Sequence, residues 1–567
     1  MAEVVVPAET HGPQYGLHKY WARKPATVLD HHLGRLLTAP GVVVDPFCGS
    51  GVFLRQAAEA GHSAYGFDVN PLAVMLSSMT LDPPPARDFC DAVEVLLATL
   101  GDDAERSFKL DDGRPVRYVV HALVTCCPQC SRRTAANLAG KVGRRYVCIC
   151  GTRLQYNLAV SESTRVVDVV GPDPSAASPQ RELKRQQQLS AVPSAPELHE
   201  RYSVPFVDNA RTLTRADMRT EDLFTPRNFS LLVRAADFAE GLPDAGLREA
   251  MQMLVTSSVA QCSRLIADRG RMSGGGPAWT VPGYWVPPVH LETNPINHLR
   301  ARAKRFSAGL ARLHGVPARK GRVELEDART GMRGLRETGV RADLVFLDPP
   351  YGDSVAYLEF SALWNAFLRR DADLAQDLSV SQRKQQPATW EAYEDGLRVA
   401  VQEAAQLLTD DGRLLVTFNS LDLRAWSALM TAVQGAGLIL EEVTYQRPAV
   451  VSAKAQFSTD GSYQGDFYGT FRAGSAEMIT TSEGEDQLAA QYEQLVAGHG
   501  PVVPRGLVHR VTALSAMRMN LDSASWGELD QLIGRYFSGR GTRLSATALL
   551  LQRCAPVDGT PRPAPAA

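Results

Sequence analysis

Two short strings govern what this chain can fold into: Asp45-Pro46-Phe47-Cys48-Gly49-Ser50-Gly51 and, far downstream, Asp348-Pro349-Pro350-Tyr351. Each directly follows an apolar run, Gly41-Val42-Val43-Val44 before the first and Ala342-Asp343-Leu344-Val345-Phe346-Leu347 before the second. Such runs predict buried parallel strands, and each string then marks a strand's carboxyl end. Ligands of open α/β sheets bind outside those ends, so both strings belong to one site despite their separation.

The surrounding pattern extends the sheet. Thr27 to Leu37 reads as an amphipathic helix, Val52 to Ala60 as the helix after the glycine turn, and Ala64-Tyr65-Gly66-Phe67-Asp68 as the second strand, with Gly61 ending the helix between them. Residues 1–85 thus form half of a doubly wound sheet, which resumes over 321–474 with strands at Val323 to Leu325, Leu344 to Leu347 and Arg413 to Phe418. A strand pair, Ile439 to Tyr445 and Asp466 to Phe471, closes it. Between the halves, periodicity weakens over 86–170, where cysteines cluster, and 171–200 contains a Pro/Ser/Gln-rich linker. Residues 201–320 read as helical: about 227 to 240 behind the threonine cap of Thr225-Pro226, about 245 to 267, and Pro295 to His314, with a Gly274-Gly275-Gly276 loop between. A helical extension with a disordered Pro/Ala-rich end is expected over 475–567.

A chain of 567 residues needs several cores, and a net charge of −2 announces no global attraction to polyanions, so any such footprint is local. There is no secretory leader pattern and no apolar run of membrane-spanning length, which makes a cytoplasmic protein with no membrane partner the expectation.

A strand ending in an acid, then Gly-x-Gly into a helix, lets backbone N–H groups approach a ligand closely, and Asp68 at the end of the next strand stands where an acid grips ribose hydroxyls. Geometry alone leaves a nicotinamide fold in contention. The remaining residues separate the two: Asp45 to Gly51 resembles motif I of the amino-methyltransferases, Gly66-Phe67-Asp68-Val69-Asn70-Pro71 resembles their second motif, and His18-Lys19-Tyr20-Trp21-Ala22-Arg23-Lys24-Pro25 resembles the motif preceding the first strand in one branch of bacterial DNA methylases. The resemblance covers residues 1–80 and about 320–474. It implies a Rossmann-like methyltransferase sheet, with S-adenosylmethionine held by Lys24, Pro25, Asp45, Phe47, Cys48, Gly49, Gly51, Asp68 and Asn70. Nothing near Cys48 supplies a base to activate it, so a small buried thiol is the reading preferred over a nucleophile.

An exocyclic base amine is a poor nucleophile because its lone pair is delocalised into the ring. Two acceptors aimed at its N–H bonds localise that pair, and Asp348 with the Pro349 carbonyl, fixed by Pro350, would provide them. Tyr351 would stack on the extruded base. The motif order resembles the alpha arrangement, in which a target-recognition segment interrupts the sheet. The implied reaction is methylation of a flipped base in double-stranded DNA, adenine N6 before cytosine N4, in a setting of restriction, phage defence or housekeeping. A tRNA guanine methyltransferase, which shares Asp-Pro-Pro-Tyr-Gly through Gly352, and an inactive DNA-binding scaffold are the alternatives. Tyr357, Phe360 and Trp364 recur at helical spacing and are expected in the core.

Cys127-Pro128-Gln129-Cys130 and Cys148-Ile149-Cys150-Gly151 resemble a zinc ribbon, with Cys126 able to replace Cys127. Two acid-free basic stretches are the expected phosphate contacts: Arg132, Arg133, Arg144 and Arg145 between the knuckles, and Arg300, Arg302, Lys304 and Arg305 farther on, continuing to Arg319 and Lys320. Tyr284-Trp285 with Glu292, Asn294 and Pro295 resembles a loop of the same branch, whose aromatics either stack on a base or pack.

Overall fold

The structure, a computed structural model, describes residues 6–110, 113, 115–170, 195–268, 283–314, 321–420, 422–446 and 465–475, with a few isolated positions beyond. Most of the expected linker, the Gly274–Gly276 loop, Arg319, Lys320 and the Pro/Ala-rich end lie outside the described residues. In the C-terminal extension, expected to be helical, the described residues include a short antiparallel pair, Val502–Pro504 with Arg543–Ser545.

The first half runs α1 (Ala26–Leu36), β1 (Val42–Asp45), α2 (Val52–Glu59), β2 (Ser63–Asp68) and α3 (Pro71–Leu81). The proline at the first helical position of α3 and the Asn70 cap, whose side chain accepts from the Leu72 N–H, start that helix two residues after the strand. An insert follows: α4 (Ala86–Ser107), β3 (Tyr118–Cys126), β4 (Arg133–Ala135), β5 (Gly140–Val142), β6 (Arg145–Val147), β7 (Arg153–Leu154), β8 (Ser163–Val170), α5 (Pro196–Tyr202), α6 (Pro226–Glu240), α7 (Ala245–Cys262), β9 (Val289–Thr293) and α8 (Pro295–Leu313). The second half is β10 (Gly321–Leu325), α9 (Ala328–Glu337), β11 (Ala342–Leu347), α10 (Tyr357–Leu368), α11 (Trp390–Leu407), β12 (Leu408–Phe418), α12 (Leu423–Gly435), β13 (Leu438–Gln446) and β14 (Asp466–Ala473).

The two halves build one seven-stranded sheet in the order β10-β2-β1-β11-β12-β14-β13, parallel except for β14, which runs antiparallel to both neighbours. Its central strands β1 and β11 are buried on both faces, as their continuous apolar runs predict, whereas the edge strand β10 is largely open. Val43, Leu344, Phe346 and Leu415 face α1 and α2, whereas Val44, Val345, Leu347 and Val416 face α9, α11 and α12. The expected α/β class and both expected strands stand.

The insert differs from its expected division. β3 pairs with β8 and also with β9, so 86–170 and the helical stretch after it share a sheet, and α3, α4, α6, α7, α8 and α10 share one core around Met75, Phe89, Leu231, Met253, Phe306 and Leu363. The weak-periodicity segment opens on a 22-residue helix, α4, which buries Phe89, Val93, Leu96, Leu100 and Ala104 at three- and four-residue spacing. Helix α7 stops at Cys262 rather than near 267. The insert leaves and returns at one place: Leu81, at the end of α3, lies so close to Gly321 that a Cβ there would come 2.6 Å from its Cδ1.

The turn after β1 depends on glycine. Gly51 has φ +73°, and a Cβ on it would stand 2.7 Å from the Ser77 Cα on α3. Gly51→Ala is expected to cost about 2 kcal/mol and to lower the thermal midpoint by roughly 5 °C. An unchanged midpoint in scanning calorimetry would show that α3 does not press on the turn.

Candidate functional site

Strands β1 and β11 are neighbours in register, Val43 beside Leu344 and Val44 beside Val345, so the strings that follow them emerge side by side. β2 and β10 extend the sheet to one side and β12 to the other, so the strand order reverses at β1 and β11 and opens a crevice there. The resulting cleft encloses ≈ 940 Å³ of empty space, open solvent included, and is lined by the Asp45 to Ser50 turn, Asp68 to Asn70, Tyr20 to Lys24, Asp327, Asp348, Pro350, Tyr357 and Asp377 to Ser379. Pro25, Gly51, Pro349 and Tyr351 stand behind this lining; Pro25 caps α1.

Asp68 ties the first two motifs together. Its Oδ2 accepts from the Gly49 N–H and its Oδ1 from the Asn70 N–H, both at 2.9 Å, and burial pushes its pKa up to about 6. Asp45 accepts from the Phe47 N–H at 3.2 Å; burial, then the charge of Asp348, holds its pKa well above the usual carboxylate range. Asn70 spends its amide on Ser361 (3.0 Å), Asn365 (3.2 Å) and the Tyr20 hydroxyl (3.4 Å), joining α10 to the N-terminal motif. The Cys48 thiol is buried and its pKa is raised by that burial and by Asp68 and Asp45, which leaves it protonated and inert.

Lys24 is buried at 6% exposure, with its ammonium 2.7 Å from the Tyr351 hydroxyl, 3.2 Å from Asp466 and 3.5 Å from Asp348. Burial alone would lower its pKa, but Asp348 and Asp466 raise it well above the lysine range, so it is charged. The Tyr351 hydroxyl donates to Asp348 Oδ1 at 2.8 Å, and its ring packs against Phe418 with centroids 4.8 Å apart. Tyr351 therefore braces the carboxylate, a contact the sequence did not disclose. Burial pushes Asp348 up to about 6, Lys24 working against that rise and Asp466 adding to it. Tyr20 stacks on Tyr357, and Trp21 packs on Phe360 and Trp364. Phe360 and Trp364 take the core role expected of that helical triplet, whereas Tyr357 is half-buried and faces the cleft.

Three acids of the site were not singled out from the sequence. Asp466 opens β14, and only the antiparallel pairing of that strand with β12 brings it to Lys24. Asp327 caps α9 by accepting from the Arg329 N–H at 2.7 Å, a signal that an Asp just beyond a strand could have given. Asp377 holds Ser379 and Arg383 in a loop at the mouth.

Away from the cleft, Cys127, Cys130, Cys148 and Cys150 bring their sulfurs within 4.8 Å of one another, two of the pairs at 3.6 Å. Four sulfurs about 2.3 Å from a common tetrahedral centre would lie roughly 3.8 Å apart, so the set fits a metal. Cys127 belongs to it; Cys126 is the last residue of β3, outside the group. Arg132, Arg133, Arg144 and Arg145 are exposed on this ribbon, with Arg133 paired to Glu162 at 3.0 Å. On α8, Arg300, Lys304 and Arg305 are exposed. Arg302 is a correction: its guanidinium donates to the Leu17 (2.7 Å) and Gly16 (3.3 Å) carbonyls and to Ser257 (3.1 Å), so it pins the N-terminal motif to the insert instead of facing outward. Tyr284 packs, its hydroxyl donating to the Glu359 and Phe360 carbonyls at 2.9 Å, while Trp285 is 39% exposed. Glu292 is buried and accepts from Arg227, His121 and Thr225, and Asn294 caps α8.

No family profile matches the chain. A 103-residue stretch is 27% identical to the type II methyltransferase M.MjaII of Methanocaldococcus jannaschii, covering 18% of this chain and 19% of that protein. The chain thus spans about a fifth of the curated relative it matches. Among solved structures, NSun6 from Pyrococcus horikoshii with SFG is similar at 19% identity over 31% of this chain and 40% of that one, with a TM-score of 0.18, too loose a superposition to bear on the fold. No helix among the described residues is long and apolar enough to cross a membrane.

Proposed function

We propose that this chain transfers a methyl group from S-adenosylmethionine to the exocyclic amine of a base flipped out of double-stranded DNA, adenine N6 in the first instance. The observation that carries the reading is that the Asp45 turn and Asp348-Pro349-Pro350 lie side by side on adjacent strand ends at one cleft. The short stretch of similarity to a type II methyltransferase agrees with it.

The cleft suits the cofactor's charge. Asp45, Asp68, Asp327, Asp348 and Asp377 line it against Arg23 and Lys24, an acid excess that favours a sulfonium and an ammonium and opposes the pyrophosphate of a dinucleotide. The fit argues against the nicotinamide alternative. When bound, the cofactor supplies an electrophilic methyl, and the rest is the work of the protein. Asp68 accepts ribose hydroxyls with the lone pairs left over from Gly49 and Asn70, and Tyr20, Phe47 and Tyr357 wall the apolar portion.

Asp348 and the Pro349 carbonyl each accept one N–H of the target amine, which turns its lone pair toward the methyl. As the N–C bond forms and the S–C bond breaks, the nitrogen must shed a proton. The Asp348 carboxylate, its pKa lifted by burial, is placed to take it. Lys24 and the Tyr351 hydroxyl hold that carboxylate in position, and the Tyr351 ring, packed on Phe418 behind the lining, serves this bracing rather than the expected stacking on the base.

Gly352 is no argument for the tRNA alternative: with φ +60° and a hypothetical Cβ 2.5 Å from Trp390, packing alone demands glycine there. Zinc on the four cysteines is proposed as a structural ion, the exposed arginines of the ribbon and Arg300, Lys304 and Arg305 as phosphate contacts, and any cleavage activity as the work of a restriction or defence partner. Incubation with labelled cofactor and either duplex DNA or tRNA, followed by mass spectrometry of the nucleosides, tests this reading. Methyladenine from DNA supports it, methylcytosine moves the target to N4, and methylguanosine from tRNA alone overturns it.

The transfer rate also depends on pH. Because Asp348 is needed as a carboxylate and ionises at about 6, kcat at saturating cofactor is expected to fall about tenfold per pH unit below that value and to level off above it. A flat profile from acid to neutral pH would remove Asp348 from the proton's path.

A further inference from the structure

Back to back with the cleft, across Trp364 and Trp21, lies a second cavity of ≈ 1100 Å³ with open solvent at its mouth. Lys19 from the N-terminal motif, Gln261 from α7 and His298, Arg302 and Arg305 from α8 line it, and no carboxylate does. The α8 residues stand at three- and four-residue spacing and so share a helical face. Arg302 is held by neutral carbonyls and a hydroxyl, and among the described residues neither Lys19, Arg302 nor Arg305 is paired with an acid. Burial lowers the Lys19 pKa with nothing to oppose it, and Arg302 is lowered by burial and by the neighbouring charge of Arg305. Three cations crowd a half-enclosed space in a chain whose net charge is −2, a repulsion that an anion would relieve.

We propose that this cavity seats phosphodiester groups of the DNA strand next to the flipped nucleotide. The inference rests on the nucleic-acid reading above and adds the place where the backbone is gripped. Lys19 and Lys24 come from one segment: Lys24 turns its charge onto Asp348, whereas Lys19 turns its charge into this cavity. Arg305 supplies a fork suited to a phosphate, and Gln261 and His298 supply further polar atoms. Arg302 acts from behind as a positioning residue, fixing the backbone that presents Lys19.

The test is fluorescence anisotropy of a labelled DNA duplex with the full chain over a series of salt concentrations. Lys19→Ala/Arg305→Ala is expected to weaken binding about tenfold at fixed salt and to reduce the slope of log K against log salt by about 1.8, the worth of two phosphates. Arg312→Ala/Arg398→Ala, which also removes two exposed cations, one farther along α8 and one on α11, serves as the charge-matched control and should change the slope less. Cofactor affinity by calorimetry should be unchanged in both. A double variant with the parental slope overturns the proposal, as does one whose loss the control reproduces in full. The two readings fail separately. If duplex binding depends on Lys19 and Arg305 but no base acquires a methyl, the cavity stands and the reaction falls; if methyl transfer proceeds with the slope unmoved, the reverse holds.

Discussion

Asp348→Ala is expected to lower methyl transfer by about 10³-fold or more while leaving cofactor affinity near its parental value. On the proposed reaction, the substitution removes the acceptor that localises the amine's lone pair and the group that takes its proton, both of which matter most in the transition state, so kcat should fall rather than KM rise. The fold should survive because Lys24, the buried cation facing Asp348, keeps a second carboxylate at 3.2 Å in Asp466 and is not left uncompensated. Asp45 and Asp68, on β1 and β2, remain as the proposed cofactor contacts. Single-turnover transfer assays and calorimetric titration of the cofactor read the two effects separately. A variant that folds but no longer binds cofactor would contradict this division of labour.

The second large effect follows from the proposed zinc on the four cysteines: its removal is expected to unfold the ribbon. Its strands β5, β6 and β7 are three, three and two residues long, and Leu138, Val142 and Ile149 point into solvent at 69%, 66% and 84% exposure. Strands this short with so little buried behind them cannot stay folded by packing alone. A structural zinc on four thiolates supplies on the order of 10 kcal/mol or more, which is the missing stability. Elemental analysis should find about one zinc per chain, and Cys127→Ser/Cys148→Ser should carry almost none. On chelation, hydrogen exchange over 127–154 should rise to that of unstructured chain while β1, β2 and β11 stay protected. Unaltered protection in metal-free protein would show that the four sulfurs hold no ion.

What could be read without coordinates follows from how local each signal is. The strand-then-turn strings, the Thr225 cap and the cysteine pairs depend on neighbours a few residues away, and they lie where the sequence predicts. Asp466 does not: its role exists only because β14 runs antiparallel against β12, a pairing no short pattern encodes. The same holds for the insert, whose division failed because β3 finds β9 across the long intervening stretch. Arg302 looked like one more exposed base in an acid-free run. One helical turn decides otherwise, rotating it toward the Gly16 and Leu17 carbonyls while Arg300 and Lys304 face water. Helix α4 was legible in principle, since its apolar spacing is regular, but the charges between those positions blurred the pattern.

Where Leu81 meets Gly321, the two ends of the insert touch at the edge of a sheet that closes without it. A block tethered at a single point can be exchanged by recombination as a cassette, with no rung of the β-ladder broken by the graft. What must be kept is the packing between the two parts: α7 against α10, the Tyr284 hydroxyl on the Glu359 and Phe360 carbonyls, and Arg302 on the Gly16 and Leu17 carbonyls. The sheet can thus stay constant while the block inserted into it is replaced, provided its successor meets the same contacts.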